Sequence, residues 1–256
     1  EVQIKEDSKL QKIGKKAFSR TLIKSILIPQ HVKSIEKEAF YKCKNLTEVI
    51  IPENSELSII KEHAFAYTSI KSIFLPCQLE TIEKEAIYYC SKLEQVEIQS
   101  NSKLKTIGPD AFYDSSIESI VIPSSVTNLN KSFRNCKKLK NVEFAPYTKL
   151  DKIANYSFCN TAINTFSLPA SVQIIENNAF RSCNKLCRFE IPENTKLQQI
   201  QDCAFSHSGL ETISLPVHLK FIGDSAFYEC KNLVSVDFPE NIELESIGTR
   251  VFSKSG

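Results

Sequence analysis

The chain has 256 residues, 42% of them apolar, which is enough for a continuous hydrophobic core. Its 32 basic and 30 acidic residues leave a net charge of +2, so overall charge makes no case for nucleic acid or an anionic membrane as partner. No run of about 18 apolar residues occurs, which excludes a membrane-spanning helix from this segment, and its start lacks the charged and apolar regions of a signal peptide.

Val2, Ile4, Leu10 and Ile13 match the second half of a longer repeating unit, so the segment opens partway through a repeat and is expected to be a fragment of a longer chain. The motif Ile-x-x-x-Ala-Phe then ends at Phe18, Phe40, Phe65, Ile87 (the one position without a ring), Phe112, Phe133, Phe158, Phe180, Phe205, Phe227 and Phe252. The intervals are 22, 25, 22, 25, 21, 25, 22, 25, 22 and 25 residues, which defines alternating short and long coils. Self-similarity at this period marks a stacked solenoid in which each coil touches only its neighbours. Residues 1–256 are therefore read as a single domain. Such a stack offers a surface rather than a pocket, which points toward recognition and away from catalysis.

The elements of a coil follow in fixed order. An alternating apolar pair, as in Val49-x-Ile51 or Ile213-x-Leu215, predicts a short strand with one buried face. Proline stops nearly every strand, at Pro29, Pro52, Pro76, Pro123, Pro169, Pro192, Pro216 and Pro239, because it cannot donate to a ladder. The Ile-x-x-x-Ala-Phe-x-x-Cys/Thr segment that follows has apolar residues at roughly helical spacing and predicts a short helix or helical turn. Gly14, Gly108, Gly223 and Gly248 open that turn, but Glu36, Glu83 and Glu176 fill the same slot, so a positive φ is not expected to be obligatory there. The phenylalanines, stacked coil on coil, should form an aromatic spine in the core.

Nine cysteines raise the question of disulfides or metal. Cys43, Cys90, Cys136, Cys183 and Cys230 recur once per pair of coils, and Thr21, Thr68, Ser115, Thr161 and Ser208 hold the same slot in the short coils. Alternate coils are about 10 Å apart, beyond the roughly 7 Å Cα limit of a disulfide. These five are expected to be buried thiols in a column of small, weakly polar groups that bond the turning backbone. Cys77, Cys159, Cys187 and Cys203 sit at non-equivalent positions and are expected to be thiols, with one pair left open. No Cys-x-x-Cys or matching His pair occurs, so neither metal nor cofactor is expected. The chain has only four histidines, and no phosphate loop, dinucleotide fingerprint, nucleophile elbow or zinc signature appears, so an enzyme is not expected. Asn45, Asn130 and Asn155 open Asn-x-Ser/Thr sequons.

The pattern Leu-x-x-Ile-x-x-x-Ala-Phe-x-x-Cys-x-x-Leu-x-x-Val-x-Ile-Pro resembles the BspA-like, or Treponema pallidum-type, subfamily of leucine-rich repeats over essentially the whole segment. Ordinary leucine-rich repeats carry Asn after the strand and lack the Ala-Phe-x-x-Cys turn. The resemblance implies a right-handed α/β solenoid, with about eleven coils here, a parallel β-sheet on the concave face and short helical turns on the convex face. It also implies a surface or secreted protein of anaerobic bacteria or parasitic protists. The implied role is attachment through a protein or glycoprotein partner on host cells, matrix or other microbes. A structural scaffold or self-association repeat, inside the cell or out, is the alternative. Departures from the pattern are Ile87 for Phe, Gln99 for the strand-ending Pro, and a one-residue deletion before Phe133; they bear on local turns.

The strand residue between the two buried apolar ones should face solvent from the concave sheet. That column starts Leu27, Ile50, Phe74, Glu97 and Val121, and these five are the candidate partner-binding residues. The apolar members fall on neighbouring coils, and exposed apolar clusters mark interaction sites. Farther along, Glu143, Glu190 and Asp237 join Glu97 on long coils only, about 10 Å apart, too far for joint chelation of one cation.

Overall fold

The computed structural model describes residues 4–5 and 7–256, so Val2, assigned above to the first partial repeat, lies outside the described residues. Each coil contributes two short parallel strands, except that the second is reduced to a single bridge at Asn128. The longer column runs from Ser25–Leu27 to Ser235–Asp237 and the two-residue column from Lys12–Ile13 to Ser246–Ile247, with ten strands in each. The chain thus makes about ten turns rather than eleven, because eleven motif copies bound ten complete periods. Pairing is residue for residue with the next coil, as in Ile26↔Val49 and Leu27↔Ile50, or Ile213↔Val236 and Ser214↔Asp237.

The longer column breaks into sheets of two, two, two and four strands. Ladders are complete from a short coil to the long coil after it. From a long coil to the next short one they thin, and only Arg188↔Thr212 joins those two strands. The extra residue ahead of each long-coil strand offsets the backbone at this step. The two-residue column breaks once, where Thr106 meets Asn128 in an isolated bridge. That interruption coincides with the one-residue deletion before Phe133.

No helix forms among the described residues, which corrects the α/β expectation and its helical turns. Residues two before and two after each Ala-Phe column position are left-handed: Lys16 and Arg20 have φ of 59° and 61°, Asn178 and Ser182 have 58° and 60°. One left-handed residue ends an α-helix, since its carbonyl and amide leave the i to i−4 ladder. Amide donors instead alternate between two destinations. Ala17 and Thr21 donate to Gly14 and Phe18 within the coil, at 3.1 Å each. Phe18 and Arg20 donate to Ala39 and Tyr41 of the next coil, at 2.8 Å each. The segment is a run of tight turns stitched sideways to its neighbour. No glycine has positive φ, in line with the shared Gly/Glu slot; non-glycine residues two positions later take it.

Proline sets where the longer strands end. Gln99 and Ala145 stand where other long coils have Pro, and their free N–H groups donate to Leu75 and Ile122 at 3.0 and 2.9 Å. The strands there, Gln95–Ile98 and Asn141–Phe144, have four residues, against three in Glu48–Ile50 or Arg188–Glu190. In the loops beyond, Asn101 and Tyr147 become left-handed, whereas the Pro-initiated loops keep a turn such as Ser55 N to Pro52 O at 3.0 Å. A departure in sequence thus changes the turn and leaves the coil intact.

The core is one continuous cluster along the whole stack. Phe18, Phe40 and Phe65 stack at 5.2 and 5.1 Å, and beyond Ile87 the spine resumes from Phe112 to Phe252. Rings only one strand spacing apart, in equivalent slots, meet nearly face to face, with Phe180 and Phe205 inclined by only 4°. All nine cysteines are free thiols. Cys43, Cys90, Cys136, Cys183 and Cys230 are buried, and each Sγ contacts the hydroxyl of the coil before it, as Thr68 contacts Cys90 at 3.3 Å and Ser115 contacts Cys136 at 3.2 Å.

Candidate recognition surface

Strand alternation places two columns of side chains outward on the longer-strand face. One is the expected column beginning at Leu27; the other, one pleat earlier, runs Ser25, Glu48, Ser72, Gln95, Ser119 and onward, every member exposed. The same period-two alternation in sequence locates both columns, the second by its polar residues.

The five candidate residues occupy five successive strands. Leu27 lies opposite Ile50 in one ladder, Phe74 opposite Glu97 in the next, and Val121 opposite Glu143 in the third. They differ in how much they offer. Ile50 is 46% and Val121 54% exposed, while Leu27 and Phe74 are half-buried. The Phe74 ring packs partly against the core, so the outward apolar area centres on Ile50 and Val121 and less on Phe74. Shallow troughs run between the strands; that bounded by Ile50, Ser72, Phe74 and Glu97 holds about 320 Å³, and that bounded by Gln95, Glu97, Ser119 and Val121 about 400 Å³.

Toward the other end this face becomes acidic and internally bonded. Ser167 Oγ donates to Glu190 Oε2 at 2.5 Å, and Arg188 Nε lies 2.9 Å from Glu190 Oε1. A larger trough of about 490 Å³ lies beside Phe144, Tyr147, Pro169 and Ala170. Tyr147 is 95% exposed, on the loop whose proline, Pro146, stands one position later than in other coils.

The turn face carries an aromatic cluster that the repeat pattern did not single out. Tyr67 and Tyr89 stack at 5.3 Å, Tyr88 and Tyr113 at 5.0 Å, and Tyr41 meets Tyr67 edge-on at 5.7 Å. Lys42 sits over Tyr41 at 5.0 Å and Arg134 over Tyr113 at 4.7 Å. The legible signal was tyrosine one or two places after the Ala-Phe column in four consecutive coils, flanking the only coil without a ring. Burial against one another pushes the Tyr88 phenol up to about 12. Nearby, a hydrogen bond from Lys61 holds the Glu36 carboxyl below its usual range.

Each of the four histidines faces a glutamate of the next coil. His31 meets Glu56 at 2.9 Å, His207 meets Glu229 at 3.3 Å, His218 meets Glu243 at 3.0 Å, and His63 is hydrogen-bonded to Glu85. These are pairs without a serine or cysteine nucleophile in the contact. Among the described residues, no three His, Cys, Asp or Glu side chains are grouped to hold a metal ion.

A family model described as BspA type Leucine rich repeat region matches six copies, over residues 11–140, 105–213 and 151–256. No catalytic family is indicated. Among solved structures, the pneumococcal vaccine antigen PcpA is similar in fold with a TM-score of 0.59 at 23% identity, over 96% of this chain and 74% of that one. A leucine-rich repeat protein from Bacteroides ovatus gives 0.52 at 22% identity, over 95% and 79%. At these identities the likeness is one of fold alone. No curated protein matches the chain in sequence.

Proposed function

The chain belongs to the BspA-type leucine-rich repeat family, and from that premise we propose that it is a non-catalytic, extracellular recognition module. It takes a protein or glycoprotein partner on a host-cell, matrix or microbial surface across its longer-strand face. The observation that carries this reading is the pair Ile50 and Val121. Both are β-branched apolar residues held out of the core at 46% and 54% exposure, on parallel strands of one face and beside the exposed polar column of Glu48, Ser72 and Ser119. An apolar centre with a polar surround is the usual anatomy of a protein-binding face. Leu27, Phe74 and Glu97 flank that centre on the strands before and between. A surface or secreted location follows from the same reading.

The test compares binding of wild type and Ile50→Glu/Phe74→Glu to host cells and immobilised matrix proteins, with circular dichroism confirming both are folded. Saturable binding lost in the double variant supports the site. Equal binding by both removes it. Absence of binding by either, together with concentration-dependent association of the wild type, favours a scaffold role.

A further inference from the structure

The near-neutral net charge conceals a strongly uneven distribution. The turn after the Cys of every long coil carries lysine: Lys44, Lys92, Lys137 with Lys138, Lys185 and Lys231, all exposed. The residue just ahead of the longer strand adds exposed Lys24, Lys71 and Lys140. Along this one edge, between the turn face and the longer-strand face, nine lysines stand against Glu94, Glu118 and Glu211, a local net of +6 on a chain whose total is +2.

Seven of the nine are also without an ion-pair partner among the described residues. On the turn face lysines pair with carboxylates of the adjacent coil, as Lys37 with Glu62, Lys61 with Glu36 and Lys152 with Glu176, each at 2.7 Å. On the edge, among the described residues, only Lys138 and Lys140 have a carboxylate within ion-pair reach, Glu94 and Glu118, both at 3.8 Å. Short coils put small residues in the intervening slot. Ser69 Oγ donates to the Lys44 carbonyl at 2.7 Å, and a Cβ on Gly209 would lie 2.5 Å from the Asn184 carbonyl oxygen. The long-coil lysines therefore stand proud at alternate coils, about 10 Å apart. A trough of about 290 Å³ opens beside Gly209 and Lys231.

We propose that this lysine edge is a second binding surface, which takes a linear sulfated polysaccharide lying along the solenoid axis. Lysine ammonium groups act as separate point charges and suit anions spaced along a flexible chain. Nucleic acid fits less well: the edge has no arginine for bidentate phosphate contacts and no aromatic ring for base stacking. Its period is also far wider than the roughly 1.7 Å charge spacing of duplex DNA. The site is separate from the Ile50–Val121 face and stands or falls independently of it.

Heparin is the probe, as a labelled oligosaccharide titrated by fluorescence anisotropy at about 0.15 M salt. Wild type is compared with Lys92→Gln/Lys137→Gln/Lys138→Gln/Lys185→Gln and with a charge-matched control on the opposite edge, Lys103→Gln/Lys149→Gln/Lys196→Gln/Lys220→Gln. Circular dichroism verifies that all three are folded. Saturable wild-type binding that weakens with salt is expected, with a loss of about tenfold or more in the edge variant and under about threefold in the control. Equal losses in the two variants, or no saturable binding by wild type, would overturn the proposal. So would tighter binding of a single-stranded oligonucleotide of the same length than of heparin.

Discussion

The Sγ of Cys43 lies 2.8 Å from the carbonyl oxygen of Phe18, one coil earlier, and 3.4 Å from Thr21 Oγ1. Cys183 repeats the arrangement on Phe158 and Thr161, at 3.0 and 3.3 Å. The thiol donates to a carbonyl that also accepts the threonine hydroxyl of its own coil, Thr21 Oγ1 at 2.8 Å and Thr161 Oγ1 at 2.9 Å. Both slots are small and, Thr21 aside, buried, and each takes a group that can donate to a backbone carbonyl, a hydroxyl in the short coils and a thiol in the long ones. In the native state the five column thiols should not react with an aromatic disulfide reagent, so at most four of nine thiols titrate before denaturant is added. Fast modification of Cys43 or Cys136 in a tryptic map would contradict this placement.

Burial pushes the Cys90 thiol up to about 11 and those of Cys136 and Cys183 to about 12, from an ordinary value of 9. The sign follows from which state loses its proton first. Unfolded thiols ionise near pH 9 and the folded ones do not, so their contribution is complete below that pH and is lost as pH rises toward 12. Each thiol removes about 1.4 kcal/mol of stability per pH unit inside that window. Cys136→Ser/Cys183→Ser should show a shallower alkaline decline than wild type, by roughly 2–3 kcal/mol per pH unit, in urea titrations at several pH values.

Phe180 meets four other rings, with centroids at 5.6 Å to Phe158, 4.7 Å to Phe166, 5.3 Å to Phe189 and 5.3 Å to Phe205. Phe180→Ala should cost about 3–5 kcal/mol, since rings held on both sides by backbone ladders cannot collapse into the space. Tyr147→Ala, at a 95% exposed site, should change stability by less than about 0.5 kcal/mol. Denaturant midpoints of the two variants provide the comparison.

Ser225 is left-handed at φ 56°, a conformation that costs a residue with a Cβ about 1–2 kcal/mol. Ser225→Gly removes that strain and adds chain entropy to the unfolded state, so a net gain of about 0.5 kcal/mol is expected. Ser225→Val should instead lower the melting temperature, because a β-branched side chain tolerates this region worst. A gain from valine would mean that the turn is not left-handed here.

Of the three sequons only that of Asn45 is open to modification. Asn130 is half-buried with its Oδ1 enclosed and without a partner, and Asn155 donates its amide to Glu176 Oε2 at 2.9 Å. Secretion from a eukaryotic host should give glycan occupancy at Asn45 and little at Asn130 or Asn155, read by glycopeptide mass spectrometry.

Much of the fold was legible because a repeat reports the same constraint many times. The Ile-x-x-x-Ala-Phe period located the core columns, Phe180 and its equivalents included, and the alternation in Ile73-Phe74-Leu75 gave the strand and its outward residue. Proline marked strand ends so reliably that Gln99 stood out, and the longer strand at Gln95–Ile98 is its consequence. The candidate surface was legible only as a column. Register could place Phe74 beside Ile50 on successive strands, but not say that its ring would lean onto the core while Ile50 stands clear.

Sequence by itself therefore determined which residues face inward and how often the chain turns, because side-chain periodicity is a local property. The conformation of the turn was decided only by the stack. Ile35, Ala39, Phe40 and Cys43 are spaced as on a helix, and an isolated segment would have no other partner for its amides than its own carbonyls. Once another coil lies about 4.8 Å away, Phe40 N–H donates to Ala64 O at 2.7 Å instead, and left-handed residues at Glu38 and Lys42 become the means of aiming alternate donors sideways. The same non-local spacing brought together Cys43 with Phe18, the tyrosines of the turn face, and the lysines of one edge. Each of these is a relation between coils, made by residues more than twenty apart in the chain.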